Sequence, residues 1–223
     1  MTPWRRHRAL ELLVQAWPEL EGHEPPARCV LASVLARSSS EWTLVEQADG
    51  YEASVVAGRI PTRDRSWHDT FNVLAFVSFP LTKAALHRRC FALQQARARK
   101  PPRSREEDAL TLIDETSLLL AGSPLAVAAL QRARASGVLA DIDRTVREHG
   151  MLAFAFGHAL LEHLALDRPP IGCGVLTVTL DGELDRPRVD RALAERIAAG
   201  GFPRPQLSPP VPWPDPIDET WLA

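Results

Sequence analysis

The sequence predicts an α+β protein, predominantly helical, with a small sheet of a few short strands at about 51–57, 109–120 and 174–180. Three observations carry that expectation. Apolar residues recur at helical spacing over most of the chain, as in Leu10, Leu13, Val14 and Trp17. Short apolar runs bounded by Gly, Asp or Pro interrupt the helical pattern in three places. With 223 residues, 45% of them apolar, there is material for one core. Residues 1–200 are therefore expected as a single globular domain, and the Pro-rich stretch 201–223 as a tail packed on it, anchored by Trp213 and Trp221.

The first helical pattern lies within residues 5–20 and stops at Pro18, which cannot continue a helix. A second helix covers Ala27 to Ala36, between a turn at Gly22 to Pro26 and the polar run Ser38 to Ser40. Asp49-Gly50 marks a turn, after which Tyr51 to Ala57 reads as a short strand closed by Gly58 and Pro61. Ser66-Trp67-His68-Asp69 has the form of a capping box, with Asp69 in the place of Glu or Gln and expected to bond back to Ser66. It opens a buried helix through the apolar run Phe71 to Phe79. Pro80 suits the first turn of a further helix, so a break is expected at Ser78-Phe79 and that helix runs to about Arg99. Arg97 to Arg105 reads as an exposed loop, and Asp108 to Gly122 fits either a helix or two strands around a turn at 114–117. Ser123-Pro124 starts another helix, and helices continue to about Leu166, the last from Met151 to Leu164. Gly174 to Leu180 is a strand, Asp181-Gly182 a turn, and Arg188 to Ala199 an amphipathic helix.

Composition narrows the function classes. A formal charge of −2 projects no long-range field, so neither nucleic acid nor an anionic membrane is an expected partner, and the Arg-rich stretch 97–105 lacks interleaved aromatics. Cys29, Cys90 and Cys173 are isolated and odd in number, which points to reduced, mostly buried thiols. The apolar stretch near the start is broken by Glu11 and Gln15, and no run approaches the ~18 apolar residues of a membrane span. The expected setting is the cytoplasm. No GxSxG, Walker loop or GxGxxG is present, which disfavours the common nucleophile and nucleotide sites.

Of 26 basic residues only Lys83 and Lys100 are lysine, Asn72 is the sole Asn and Tyr51 the sole Tyr. Such a bias fits a GC-rich genome, and under it a surviving Lys, Asn or Tyr marks a position where that side chain matters. Three of these four fall between 51 and 83. The same region carries Tyr51-Glu52, Gly58, Ile60-Pro61-Thr62-Arg63, Trp67-His68-Asp69-Thr70-Phe71-Asn72 and Phe79-Pro80-Leu81-Thr82-Lys83-Ala84-Ala85-Leu86. Further on stand Asp108-Ala109-Leu110-Thr111-Leu112-Ile113-Asp114-Glu115 and Gly157-His158-Ala159-Leu160-Leu161-Glu162. Together these motifs, over roughly residues 50 to 165, resemble a bacterial family known as domain of unknown function 3025. The chain departs from that pattern at Phe76, His87 and Thr116-Ser117-Leu118, where the resemblance leads one to expect Trp, Asn and a nearby Gly. The resemblance implies no activity.

Three constellations could carry chemistry. On a helix beginning near 67, Asp69 and Asn72 share a face, with His68 beside them and Lys83 on the next helix. A His-Asp doublet of this kind suits a divalent ion, and Lys83 with Arg63 suits an anionic ligand, although Lys83 could equally form a salt bridge to Glu115. Asp108, Asp114 and Glu115 supply carboxylates for a metal or for an acid and base pair, or else a solvated turn. His158 and Glu162, four apart on an apolar helix, need partners, either each other or a third group such as His68. The leading expectation is a metal-assisted hydrolase of a phosphorylated or other anionic small molecule. Its catalytic residues would be His68, Asn72, Lys83, Asp114, Glu115 and His158, with Arg63 and Lys83 on the substrate and a divalent metal held by His68, Asp69, His158 and Glu162. The alternative is a non-catalytic binding or structural protein in which the same residues form a buried network that determines the fold.

Overall fold

The computed structural model describes residues 2–5, 8–38, 41–97, 102–136, 139–168 and 174–201. The expected tail from 202 onward, with Trp213 and Trp221, and Cys173 lie outside the described residues. Helix α1 (Arg8–Ala16) sends Leu10, Leu13 and Val14 into the core, and α2 (Arg28–Ser38) adds Leu31, Val34 and Leu35. Strand β1 (Thr43–Val45) pairs in parallel with β2 (Arg59–Pro61), with Leu44 opposite Ile60. Between them runs α3 (Tyr51–Val56), where a strand was expected. Val55-Val56 favour a strand locally, but tertiary packing decides: α3 lies on α5 (Pro80–Ala96), with Glu52 bonded to His87 and Tyr51 to Asn72. Gly58, at φ +78° and with a Cβ position 2.9 Å from the Glu41 carbonyl, makes the tight turn into β2.

Helix α4 (Trp67–Ser78) is capped by Ser66, whose Oγ accepts from the Asp69 amide, and all residues from Asp69 to Phe76 are buried. It breaks at Phe79, and Pro80 occupies the first turn of α5, as the sequence predicts. Helix α6 (Arg105–Thr116) opens with a complete Ser104/Glu107 capping box, so residues 109–116 are helical and only the remainder of the expected 109–120 strand is one, in β3 (Ser117–Gly122). Helices α7 (Pro124–Ser136) and α8 (Leu139–Glu148) follow. The expected helix from Met151 divides into β4 (Leu152–Ala155) and α9 (His158–Ala165). An apolar run buried on all sides carries no period, and the break comes at Gly157. Strand β5 (Gly174–Thr179) and α10 (Arg186–Ala199) match their sequence signals.

The main sheet has the order β4-β3-β5, with β3 antiparallel to β4 and parallel to β5. Every residue of β3 is buried, because helices cover both faces. Leu119 and Ala121 join Phe79, Phe154, Leu176, Val189 and Leu193 on the side of α5, α6 and α10. Leu118 and Leu120 point the other way, onto Ala126, Leu130 and Val146 of α7 and α8. A third cluster, around Trp4, Trp42, Phe71 and Phe76, joins the N-terminal helices to α4. The polar residues singled out above collect where α3, α4, α6 and α9 meet. The chain is an α+β protein, predominantly helical, with two small sheets among the described residues.

Candidate functional site

A cleft of about 700 Å³ opens at that junction, with Tyr51, Arg63, His68, Asp69, Asn72, Asp114, Glu115 and His158 among its lining residues. Its floor is braced by a linear polar network. Asn72 donates from Nδ2 to the Tyr51 hydroxyl at 2.7 Å and accepts from Lys83 Nζ at 2.8 Å. Lys83 Nζ also donates to Asp114 Oδ1 and lies 4.6 Å from the centre of the Phe76 ring. The Lys83 side chain is 0% exposed. Burial alone would raise the Asp114 carboxyl, but Lys83 first, then His158 and His87, hold it well below the usual carboxylate range. The Tyr51 side chain is part-exposed, but desolvation around its hydroxyl, and then the charge of Asp114, push the phenol up, so the hydroxyl keeps its proton.

Two imidazoles form the second feature. His68 Nε2 and His158 Nε2 are 3.2 Å apart, with the rings nearly perpendicular at 84°. His68 Nδ1 is 3.3 Å from Glu162 Oε2, and Glu162 Oε1 also accepts from Arg168 at 3.3 Å. His158 is buried, and its Nδ1 has no hydrogen-bond partner among the described residues. The nearest carboxylate oxygen to it is Asp114 Oδ2 at 3.9 Å. Burial pushes the His158 imidazole down to about 4 against the pull of Asp114, so it is neutral near pH 7. The local chain explains its position. The Ser117 carbonyl accepts from both Phe156 and Gly157 amides, which pins the start of α9 against the end of α6 and faces His158 toward Asp114.

The expected site residues thus divide. His68, Asp69, Asn72, Arg63, Asp114, Glu115 and His158 all reach the cleft, whereas Lys83 lies beneath its floor and Glu162 stands behind His68. Lys83 pairs with Asp114 and not with Glu115, whose exposed side chain reaches the cleft on its own. The Asp69 carboxylate does not bond back to Ser66, although the Asp69 amide does. It accepts the Arg63 amide at 2.7 Å and the Arg63 guanidinium in two bonds of 2.9 Å, which outweigh burial and hold its carboxyl below the ordinary value. Asp69 therefore organises the loop before α4, and Arg63 spends its fork on it. Among the described residues no group of three or more His, Cys, Asp or Glu side chains is gathered closely enough to hold a metal ion. Three participants were not singled out as site residues: Tyr51, Glu52 and His87, the last two joined by a 2.7 Å bond with His87 stacked on Phe76. The rarity of tyrosine was the available signal for the first; nothing in the local sequence joins the other two.

A family model described as "Protein of unknown function (DUF3025)" matches residues 40–213. No curated protein and no solved structure matches the chain. Among the described residues no helix is long and apolar enough to cross a membrane.

Proposed function

The chain belongs to the DUF3025 family, and from the geometry of its cleft we propose that it is a binding protein whose buried polar network is a fold determinant, with a small polar molecule as its ligand and a cytoplasmic setting. The observation that carries this reading is the saturation of Lys83. Its ammonium is fully buried and directed at Asn72, Asp114 and the face of Phe76, so it has nothing left to offer a ligand. An anion-binding or catalytic lysine has to reach the molecule it serves. This one instead ties α5 to α4 and α6, and breaking such a pair costs ~3–5 kcal/mol by stranding the remaining charge. The cleft above keeps exposed groups for contact, chiefly Glu115 and the His68 edge.

The test compares two variants of the whole chain. Lys83→Met is expected to lower the melting temperature by many degrees, as the loss of a buried charge partner does. Glu115→Gln, at the exposed rim, is expected to leave it within a degree or two while changing which small molecules shift it in a thermal screen. A Lys83→Met variant as stable as the wild type would end the reading. A second reading, metal-assisted hydrolysis of a phosphorylated or similarly anionic small molecule, draws its support from the neutral His158 facing His68 at the cleft. Turnover of p-nitrophenyl phosphate with added Mn²⁺, lost in His158→Ala, would favour it over pure binding.

A further inference from the structure

The tautomer of His68 is set from behind. A carboxylate accepts hydrogen bonds, so the ring nitrogen bonded to it carries the hydrogen. Glu162 Oε2 faces Nδ1 of His68 at 3.3 Å, which leaves His68 Nε2 as a bare lone pair. That atom stands 3.2 Å from Nε2 of His158, whose Nδ1 lies 3.9 Å from the Asp114 carboxylate, beyond hydrogen-bond reach. With its hydrogen on Nδ1, His158 presents a second lone pair there, and two lone pairs at that distance repel unless they share a positive species.

We infer that His68 Nε2 and His158 Nε2 share a divalent transition-metal cation of the zinc, copper or nickel class, bound at the wall of the cleft. The separation fits. Two nitrogens each ~2.0–2.1 Å from one cation and 3.2 Å from each other subtend roughly 100°, close to tetrahedral. Imidazole is the ligand these ions prefer. A carboxylate bonded behind the ring, as Glu162 is behind His68, is the arrangement that orients a metal-bound histidine and raises its basicity. His158 Nδ1, buried and without a hydrogen-bond partner among the described residues, gains one if its ring closes on Asp114 as the cation binds. With two protein nitrogens the ion keeps open positions toward the cleft, and the half-exposed edge of His68 lets solvent reach them. The ligand class that follows is a small molecule offering an anionic oxygen, a carboxylate or a phosphate, which completes the coordination. The inference rests on the cleft being a binding site and is independent of the structural role of Lys83.

The experiment uses the full chain, stripped with a chelator and titrated with Zn²⁺ by calorimetry and with Cu²⁺ by electron paramagnetic resonance. One site is expected, with a Cu²⁺ spectrum showing coupling to two imidazole nitrogens. His68→Ala and His158→Ala should each weaken that site by at least ~10-fold, and Glu162→Gln by ~10-fold through the orientation of His68. His149→Ala, at an exposed histidine, should leave it unchanged. Circular dichroism checks that each variant is folded; if His158→Ala does not fold, the partly exposed His68→Ala carries the test. Equal Zn²⁺ affinity in wild type and His68→Ala, or no Zn²⁺ binding at all, overturns the inference and leaves a shared proton between the rings. Neither result bears on the melting behaviour of Lys83→Met, so this inference and the fold-determinant reading fail separately.

Discussion

At the scale of single residues, Lys83 shows how much a side chain's identity can mean. One of two lysines among 26 basic residues, it fills a slot where a compact ammonium meets one amide oxygen, one carboxylate and one ring face. A planar guanidinium has a different donor geometry and larger volume. Lys83→Arg is accordingly expected to destabilise the chain by ~3–5 kcal/mol, as a broken buried pair does, measured by urea unfolding. The rarity of Lys, Asn and Tyr pointed to Lys83, Asn72 and Tyr51, and the structure joins the three in one network. What the residues alone did not disclose was the choice of Asp114 over Glu115, because neighbours on a helix point about 100° apart and the rotation of α6 is set by its distant packing. Cysteine chemistry makes a second residue-scale test. Burial pushes the Cys90 thiol up to about 12, while Cys29 is exposed. A thiol reagent at pH 8 should label Cys29 in the native chain and reach Cys90 only on unfolding, read by mass spectrometry of peptides.

At the scale of elements, what was legible depended on punctuation. The junction at Ser78-Phe79-Pro80 and the Ser66 and Ser123 caps were readable because their chemistry is local. The runs at 51–57 and 151–164 were not, because short apolar segments serve helix and strand alike until their neighbours are known. Gly157 resolves the second of these. A Cβ there would stand 2.5 Å from the Glu115 carbonyl oxygen and the Ser117 amide nitrogen. Gly157→Ala should therefore force α9 away from α6, at a cost of at least the ~1–3 kcal/mol typical of overpacking, and should displace His158 from the cleft. Helix α5 offers another test. Phe79 gives its N-terminus no side-chain bond, and Asp190 of α10 does so from across the fold, accepting the Leu81 and Thr82 amides at 3.0 and 2.7 Å. Asp190→Ala should cost ~0.5–2 kcal/mol, as the loss of a cap does. Burial raises the Asp190 carboxyl against the pull of those bonds, so the folded chain holds this proton more tightly than the unfolded one. Its contribution is complete below the ordinary carboxyl range and is lost as pH rises through the folded value. The stability difference between Asp190→Asn and wild type should thus move in favour of the variant as pH rises from ~4.

At the scale of the whole molecule, β3 divides the interior, Leu119 and Ala121 serving one core and Leu118 and Leu120 the other. The cleft forms where α3, α4, α6 and α9 converge beside this sheet, and its pairs are distant in sequence: 90 residues between the two imidazoles, 31 between Lys83 and Asp114. The motifs that resemble the family marked nearly every participant, yet the pairing follows from the packing of helices that no local signal aligns. The central claim, that this network holds the helices together, is tested most directly by a double-mutant cycle on Lys83→Met and Asp114→Leu, read by urea unfolding. Each single change should cost ~3–5 kcal/mol, because it strands a buried partner, and the double variant should cost far less than their sum. Strictly additive losses, or folded single variants within ~0.5 kcal/mol of wild type, would contradict it.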